Sequence, residues 1–270
     1  SVCSKTNISL PPLAEQKRIV KKIEELFAVI DKNIQKLEHT QQALIQYRQS
    51  VLNSYLNTHK GNPITLGEII SPRRERVTYN GDNGNIPFIG LDCIVPNALA
   101  PFKVDSLKDT KSTCFMFYKN DVLYGRMRSY LNKVFKAEIN GAASAEFIVF
   151  PSNTQILPDY LKYTLHQQKF VEFATRNSSG DRPRVKFEED LSTFSLILPS
   201  LPEQKAIVEK IEKAFACADK AQAAISVALE QAKQLKQSIL KRAFEGRLVP
   251  QDPNDKPVDL TQLTPKGKTK

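Results

Sequence analysis

The chain has 270 residues, of which 41% are hydrophobic and 25% are charged, and its formal net charge is +10. This composition indicates a globular protein with a core of its own, and it excludes a chain that is disordered throughout. No apolar run reaches the roughly 18–20 residues that a membrane span needs, so we expect a cytoplasmic protein with no membrane partner. Four dispersed cysteines exclude a zinc ribbon and a disulfide scaffold.

An internal repeat begins close to the start of the chain. Residues 10–27 (LPPLAEQKRIVKKIEELF) match residues 198–215 (LPSLPEQKAIVEKIEKAF) at an offset of 188 positions. The match returns where residues 49–52 are compared with residues 237–240. Two copies this far apart differ from a solenoid, in which the units stack directly on one another. They indicate a duplicated element on either side of a separate domain.

Both copies of the repeat predict a long helix. Apolar residues recur every seven positions over five heptads in each copy. This pattern favours a coiled-coil pair over an isolated surface helix, with two helices of an ordinary bundle as the alternative. Ser200 and Glu203 have the spacing of a capping box at the second helix start, and Gly246 supplies a stop. The expected seam, which also serves as a partner interface, consists of Ile23, Ile30, Leu37, Leu44, Val51, Ile207, Ile211, Ile225, Leu235 and Ile239.

The helices set the expected order of segments along the chain. Short β-rich runs and one helix predict an α/β domain between the two long helices. The runs lie at 86–91, 113–117, 122–124 and 147–150, and the helix lies at 158–174. The expected segments are a leading remnant at 1–9, the first helix at 10–60, the central domain at 61–197, the second helix at 198–246 and a polar tail at 247–270.

Arginine is concentrated in the central domain, although that domain is almost neutral. Its net charge is +2, against +4 for each flanking part, yet it holds 8 of the 12 arginines. In extended segments residues i and i+2 project to the same face, and the guanidinium fork binds base edges and phosphates. Structural ion pairs explain each cluster alone equally well. The candidate DNA-contacting residues are Arg73, Arg74, Arg76, Arg126, Arg128, Arg182 and Arg184, with Tyr130, Asn132 and Lys133 as neighbours.

Motifs of catalysis are missing from the sequence. It contains no G-x-G-x-x-G, no G-x-S-x-G and no H-E-x-x-H, and its three histidines are not clustered. We therefore predict a noncatalytic protein with no catalytic residue, no metal site and no cofactor site of its own.

Several segments resemble the specificity subunit of type I restriction–modification systems. They are the two helix starts at 10–17 and 198–205, residues 120–134 (NDVLYGRMRSYLNKV) and residues 243–255 (AFEGRLVPQDPND). The resemblance implies an α/β (α+β) target recognition domain flanked by two long helices that form an antiparallel coiled coil, in a bacterial or archaeal protein. Because only a short segment precedes the first helix, the chain corresponds to the C-terminal half of that family, either as a fragment or as a naturally short version.

The resemblance also implies a function and a set of partners. The central domain would read one half of a bipartite site in double-stranded DNA, and the helices would bind methyltransferase subunits. A restriction subunit would complete the complex, and S-adenosylmethionine, ATP and Mg²⁺ would reside on the partner subunits. Self-association of the chain would give a palindromic site, because both halves would be read by the same domain. The alternative function is a coiled-coil adaptor that binds protein partners only.

Overall fold

The computed structural model describes residues 10–58, 61–178, 180–181 and 183–258. The chain divides into two compact units, which are described separately below. The central unit is Gln46–Cys217, and the second unit comprises Ser1–Ile45 together with Ala218–Lys270.

Two helices are long, as the repeat predicts. They are α1 (Leu13–Leu56) and α5 (Leu201–Phe244), with 44 residues each. Between them in the chain lie α2 (Leu66–Ile69), α3 (Pro158–His166) and α4 (Gln168–Arg176). The described strands are β1 (Ile64–Thr65), β2 (Arg76–Val77), β3 (Pro87–Ile89), β4 (Asp105–Ser106), β5 (Cys114–Phe117), β6 (Val122–Gly125), β7 (Val134–Lys136), β8 (Gly141–Ser144), β9 (Phe147–Phe150) and β10 (Ser195–Leu196). Among the described helices none has both the length and the apolar character needed to cross a bilayer.

In the second unit α1 and α5 run antiparallel. Lys236 of α5 donates a hydrogen bond to Asp31 of α1, and its ammonium lies 4.9 Å from the ring centroid of Phe27. Arg18, nearer the start of α1, pairs with Asp255, which follows the end of α5. Residue numbers therefore rise along one helix as they fall along the other. The predicted antiparallel coiled-coil arrangement of the long helices is confirmed.

The seam follows the expected heptads in α1, and in α5 one predicted position departs from it. Leu235 is 52% exposed, and Lys236 faces α1 in its place. The buried and half-buried positions in this part of α5 are 225, 228, 229, 232, 236 and 239. Positions 207, 214, 221 and 228 of the same heptad row are buried or half-buried, so only Leu235 leaves the seam. The other predicted seam residues are buried or half-buried, namely Ile23, Ile30, Leu37, Leu44, Val51, Ile207, Ile211, Ile225 and Ile239.

The central unit is built on two main sheets. One has five strands in the order β2-β5-β8-β3-β4, and the other has three strands in the order β7-β6-β9. The β3–β8 pair is parallel, and the other described pairs are antiparallel. A further pair, β1 with β10, joins the segment that enters the domain to the segment that leaves it.

The three-stranded sheet is buried on both faces. Successive side chains of a strand point to opposite faces, so neighbouring residues of β6 show what covers each face. Leu123 of β6 packs with Phe117 of the five-stranded sheet in one apolar cluster. Tyr124, the next residue, belongs to a second cluster with residues of α3 and α4. Leu52 of α1 and Phe215 of α5 join this second cluster. The end of α1 and the start of α5 are therefore part of the core of the central unit.

The helix expected at 158–174 is divided into α3 and α4 at Gln167. This residue is buried and extended, with φ −67° and ψ 149°. Its N–H donates to the carbonyl of Tyr163, and its own carbonyl accepts from Phe170 and Val171, so one helix ends where the next begins. Asn57, the residue after α1, donates to the side-chain oxygen of Gln167 at 3.1 Å. Neither Gly nor Pro marks this break, so periodicity alone could not predict it.

Candidate nucleic-acid interface

Two arginine-bearing segments that are distant in sequence, residues 126–128 and 183–185, lie side by side. The segment after β6 runs antiparallel to residues 183–185. The N–H of Arg128 donates to the carbonyl of Pro183 at 2.8 Å, and the carbonyl of Arg126 accepts from Val185 at 3.0 Å. Arg184 therefore lies next to the 126–128 segment. The structure brings these predicted residues together on one pair of segments.

A small cleft of about 160 Å³ lies against this pair, and Arg74, Arg126 and Lys186 line it. The Nε of Arg126 is buried there and has no hydrogen-bond partner among the described residues. Arg74 forms an ion pair with Glu188 at the cleft. A buried guanidinium N–H without an acceptor is costly unless a ligand supplies one. The cleft is therefore suited to an oxygen-bearing anion. Lys186, which the sequence analysis did not single out, belongs to it.

Besides Arg74, two of the predicted arginines form ion pairs with carboxylates of the central unit. Arg73 meets Asp121 at 2.9 Å from Nε to Oδ2 and 3.2 Å from Nη2 to Oδ1, and Asp121 is 1% exposed. Arg184 donates to Glu146 at 2.9 Å from Nε to Oε2 and at 2.6 Å from Nη2 to Oε1. These hydrogen bonds raise the pKa of Arg184. The geometry favours the structural ion-pair alternative for Arg73 and Arg184.

Three other arginines form no ion pair with any carboxylate in the described part of the chain. They are Arg76, Arg126 and Arg128. The guanidinium of Arg76 lies 5.7 Å from the ring centroid of Phe115. Arg128 is exposed and has a left-handed backbone conformation, with φ 54°. Such strain in a residue other than glycine is typical of functional sites. Arg182 lies outside the described residues.

The turn that follows Arg128 separates its polar residues into two groups. Tyr130 is 53% exposed. Asn132 is buried and donates to the carbonyl of His166 at 3.0 Å. Lys133 donates to a backbone carbonyl at 2.7 Å, and burial lowers the pKa of Lys133. Asn132 and Lys133 therefore hold the turn in place, and Tyr130 is presented to solvent.

A second, polar cleft of about 450 Å³ lies beside Tyr130. Gln168, Glu172 and Arg176 of α4 form one side of it, and Asn97 contributes from a loop. The three helical residues are spaced four apart and therefore share a face of α4. The sequence analysis missed them, although most of this spacing lay inside the helix it predicted at 158–174.

One group of metal-capable side chains occurs in the described part of the chain, formed by Asp92, Cys93 and Asp105. The Nζ of Lys103 lies 3.0 Å from an oxygen of each carboxylate. Hydrogen bonds to Asp92 and Asp105 raise the pKa of Lys103. Burial raises the pKa of the Cys93 thiol, which disfavours the thiolate that a metal binds. The single lysine ammonium pairs with both carboxylates and offsets one of their two negative charges.

The second unit has an open groove of about 870 Å³ between the start of α1 and the end of α5. Leu240 and Phe244 of α5 line it and are 38% and 76% exposed. At the repeat offset of 188 residues they correspond to Leu52 and Leu56 of α1, which are 0% and 6% exposed in the core of the central unit. The same repeat positions are thus buried in one copy and exposed in the other.

This chain is similar in sequence to proteins of known function. The type I restriction enzyme EcoDI specificity subunit of Escherichia coli is 28% identical over 91% of this chain and 63% of its own length. The StySPI specificity subunit of Salmonella potsdam is 28% identical over 91% of this chain and 58% of its own length. The chain therefore spans about three-fifths of these curated relatives.

Solved structures share the fold. A chain from a structure of complex assembly and conformational transition in the type I R-M system superposes with a TM-score of 0.71 at 22% identity, over 88% of this chain and 61% of that one. The HsdS subunit from Thermoanaerobacter tengcongensis gives 0.54 at 21% identity, over 89% and 60% of the two chains. Residues 62–231, more than half of the chain, match the type I restriction modification DNA specificity domain. The chain belongs to that family.

Proposed function

We propose that this chain is a noncatalytic DNA-recognition subunit that reads one half of a bipartite site in double-stranded DNA. The observation that carries the proposal is the cation-lined cleft, where Arg126 keeps a buried Nε without a partner among the described residues. Arginine and lysine contacts to phosphates supply most of the affinity of proteins for DNA. The relatives' printed names, specificity subunits of type I restriction enzymes, agree with this function.

The proposed partners follow from the same family. The long helices would bind methyltransferase subunits, and a restriction subunit would complete the complex in the bacterial or archaeal cytoplasm. S-adenosylmethionine, ATP and Mg²⁺ would bind to those partners. Lys103 already fills the gap between the carboxylates of Asp92 and Asp105, which supports a chain without a metal ion of its own.

The open groove supports self-association of the chain. Phe244 is 76% exposed, whereas its repeat equivalent Leu56 is buried, so the groove carries a surface of the kind that the protein buries elsewhere. Exposed apolar patches of this sort mark interfaces. A second copy could cover it end to end through an isologous contact, in which each groove packs against the other. The resulting assembly would carry two identical recognition domains and would select a palindromic site.

The DNA proposal is tested by selecting sites from random duplexes with the chain alone and with its methyltransferase partner. Arg126→Ala should weaken binding of cognate and random DNA alike and flatten the salt dependence if it contacts phosphate. It should relax one base position, at a cost of about 1–3 kcal/mol, if it contacts a base edge. The matched control is Lys111→Ala, which removes one exposed charge from the same domain outside the cleft.

Two results would contradict the DNA proposal. One is unchanged binding of both cognate and random duplexes by the Arg126 variant. The other is a wild-type complex that binds the methyltransferase but no DNA, which would favour the coiled-coil adaptor.

Self-association is tested by analytical ultracentrifugation of the chain without partners. Phe244→Asp should convert a dimer into a monomer, because it places a charge in the apolar contact. Val227→Asp, at a 57% exposed position of α5 outside the groove, is the control and should leave the dimer intact. A wild-type chain that stays monomeric at high concentration, or selects a strictly asymmetric bipartite site, would overturn this part of the proposal.

A further inference from the structure

We propose that α4 is the base-reading element of the recognition domain, with Gln168, Glu172 and Arg176 contacting base edges from its exposed face. This inference rests on the proposed function in DNA recognition. It adds which residues distinguish one DNA sequence from another, and it concerns side chains outside the arginine clusters.

The exposed face of α4 is not used for packing. Phe170, Val171 and Ala174 are buried and hold the helix on the domain. Gln168, Glu172 and Arg176 are exposed, and in the described part of the chain neither Glu172 nor Arg176 forms an ion pair. The face is therefore free to meet a ligand while the opposite face fixes its position.

The spacing of the three residues matches the spacing of bases. Eight residues separate Gln168 from Arg176, which corresponds to a rise of about 12 Å along the helix axis. Base pairs of B-DNA follow one another at about 3.4 Å, so this face spans three to four base pairs of a major groove wide enough for a helix.

The three side chains also have three different hydrogen-bonding chemistries. An amide such as that of Gln168 can pair with adenine, the guanidinium of Arg176 with guanine, and the carboxylate of Glu172 with the amino group of cytosine. Gln168 Nε2 donates to Glu172 Oε1 at 3.0 Å, which holds both side chains toward the cleft. The cleft at Arg126 presents four cations among apolar side chains and one carboxylate. Cations suit contacts to phosphates, and such contacts carry no sequence information directly.

The two clefts are joined by one short segment of chain. Arg126 lines the cation-lined cleft, and Tyr130, four residues later, lines the polar cleft opposite α4. Arg128 and Asn132, on either side of Tyr130, are both left-handed, with φ 54° and 48°. Asn97, on the same cleft, is left-handed as well, with φ 61°. Asn97 and Asn132 line the polar cleft, and asparagine tolerates this conformation, whereas Arg128 lies just outside the cleft and is the strained residue of the three. A duplex whose phosphate backbone contacts Arg126 would thus have base edges within reach of α4.

The test is selection of sites from random duplexes by the complex of this chain with its methyltransferase partner. Gln168→Ala, Glu172→Gln and Arg176→Ala should each relax the selected sequence at one position. Each should weaken binding of the wild-type site by about 5- to 150-fold, which is the discrimination that a single good base contact provides. Binding of random DNA should stay unchanged in the Gln168 variant, and Glu172→Gln should not weaken it, because this change removes a negative charge that repels phosphates.

Two further variants separate base reading from charge and folding. Lys169→Ala removes one exposed charge from α4 outside the polar cleft and should leave the selected sequence unchanged. Arg176→Lys keeps the charge but lacks the two-point fork, so it should lose selectivity while it keeps its affinity for random DNA. Because it also keeps a long side chain at an exposed position, this variant should fold even if Arg176→Ala does not.

The outcomes distinguish this inference from the proposed function. If the wild-type complex selects a site and all α4 variants select the same one, α4 is not the reading element and the DNA function stands. If the wild-type complex selects no sequence, the proposed function fails and this inference fails with it.

Discussion

Arg73 and Asp121 form a two-point ion pair in which Asp121 also accepts hydrogen bonds from the N–H groups of Tyr118 and Ser152. Arg73→Ala would leave a carboxylate that is 1% exposed without its counter-charge. We expect this change to lower the free energy of unfolding by about 3 kcal/mol, because an uncompensated buried charge is costly. Urea denaturation measures the effect. Arg74→Ala, at a side chain that is 71% exposed, should change stability by less than about 1 kcal/mol. Equal losses in the two variants would contradict the assignment of Arg73 to structure.

The second prediction compares two glutamines at equivalent positions of the repeat. Gln16 donates to the carbonyl of Pro11, and its equivalent Gln204 donates to the carbonyl of Pro199. Gln204 is also fully buried, donates to the carbonyl of Gln155 and accepts from a further backbone N–H. Gln204→Ala should cost about 2–3 kcal/mol, against about 1 kcal/mol for Gln16→Ala, since it leaves buried groups unpaired. Thermal unfolding of both variants would settle this, and a larger loss at Gln16 would refute it.

The third prediction concerns stability between pH 4 and pH 6.5. Burial, together with the charges of Lys162 and Arg48, lowers the pKa of His166 to about 4 from a model-compound value of 6.5. In this interval the unfolded chain binds a proton at His166 that the folded chain does not. Stability from this residue is therefore complete above pH 6.5, falls as the pH drops, and is lost at about pH 4, with a total change of about 3 kcal/mol.

His166→Gln removes this titration, so unfolding measured against pH should show a flatter slope across the interval. His39→Gln, at an exposed position of α1, is the control and should keep the wild-type slope. A slope that is identical in the His166 variant and the wild type would show that another group controls the acid response.

The fourth prediction is that the isolated chain has no enzymatic activity. The sequence contains no nucleophile motif and no cofactor loop, and Lys103 occupies the acidic group formed with Asp92 and Asp105. Incubated alone with S-adenosylmethionine, ATP, Mg²⁺ and duplex DNA, the chain should neither methylate nor cleave. Transfer of a labelled methyl group by the purified chain would reverse the noncatalytic assignment.

Local patterns in the sequence predicted the long helices well and the position of individual side chains less well. The heptads anticipated the burial of Ile30 and Ile225, because a helical face follows directly from spacing. They misplaced Leu235, which is exposed, whereas the next residue, Lys236, faces α1. Which of two neighbouring positions faces α1 depends on how the two helices cross. The break at Gln167 was missed because no glycine or proline marks it, and the contact found there, a hydrogen bond from Asn57 just after α1, joins residues that are distant in sequence.

The arginine clusters show the same limit. Their spacing identified Arg126 and Arg184 as candidates, but only the fold shows that the 126–128 segment runs beside residues 183–185. The carboxylate that engages Arg184 is Glu146, which is close in space and distant in sequence. Opposite charges that far apart along the chain give no local signal. The sequence alone therefore does not distinguish an arginine that is free from one that is paired with a carboxylate.

The burial of β6 on both faces has a consequence for the thermodynamics of binding. Gly125 ends this strand, and Arg126 follows it directly. Backbone hydrogen bonds with Glu146 and Val185 therefore fix the backbone of Arg126 before any ligand binds. Ordering a mobile loop costs about 1–2 kcal/mol for each residue that it immobilises. A binding segment that extends from a rigid strand avoids most of this entropic loss, and more of its contact energy is retained as affinity.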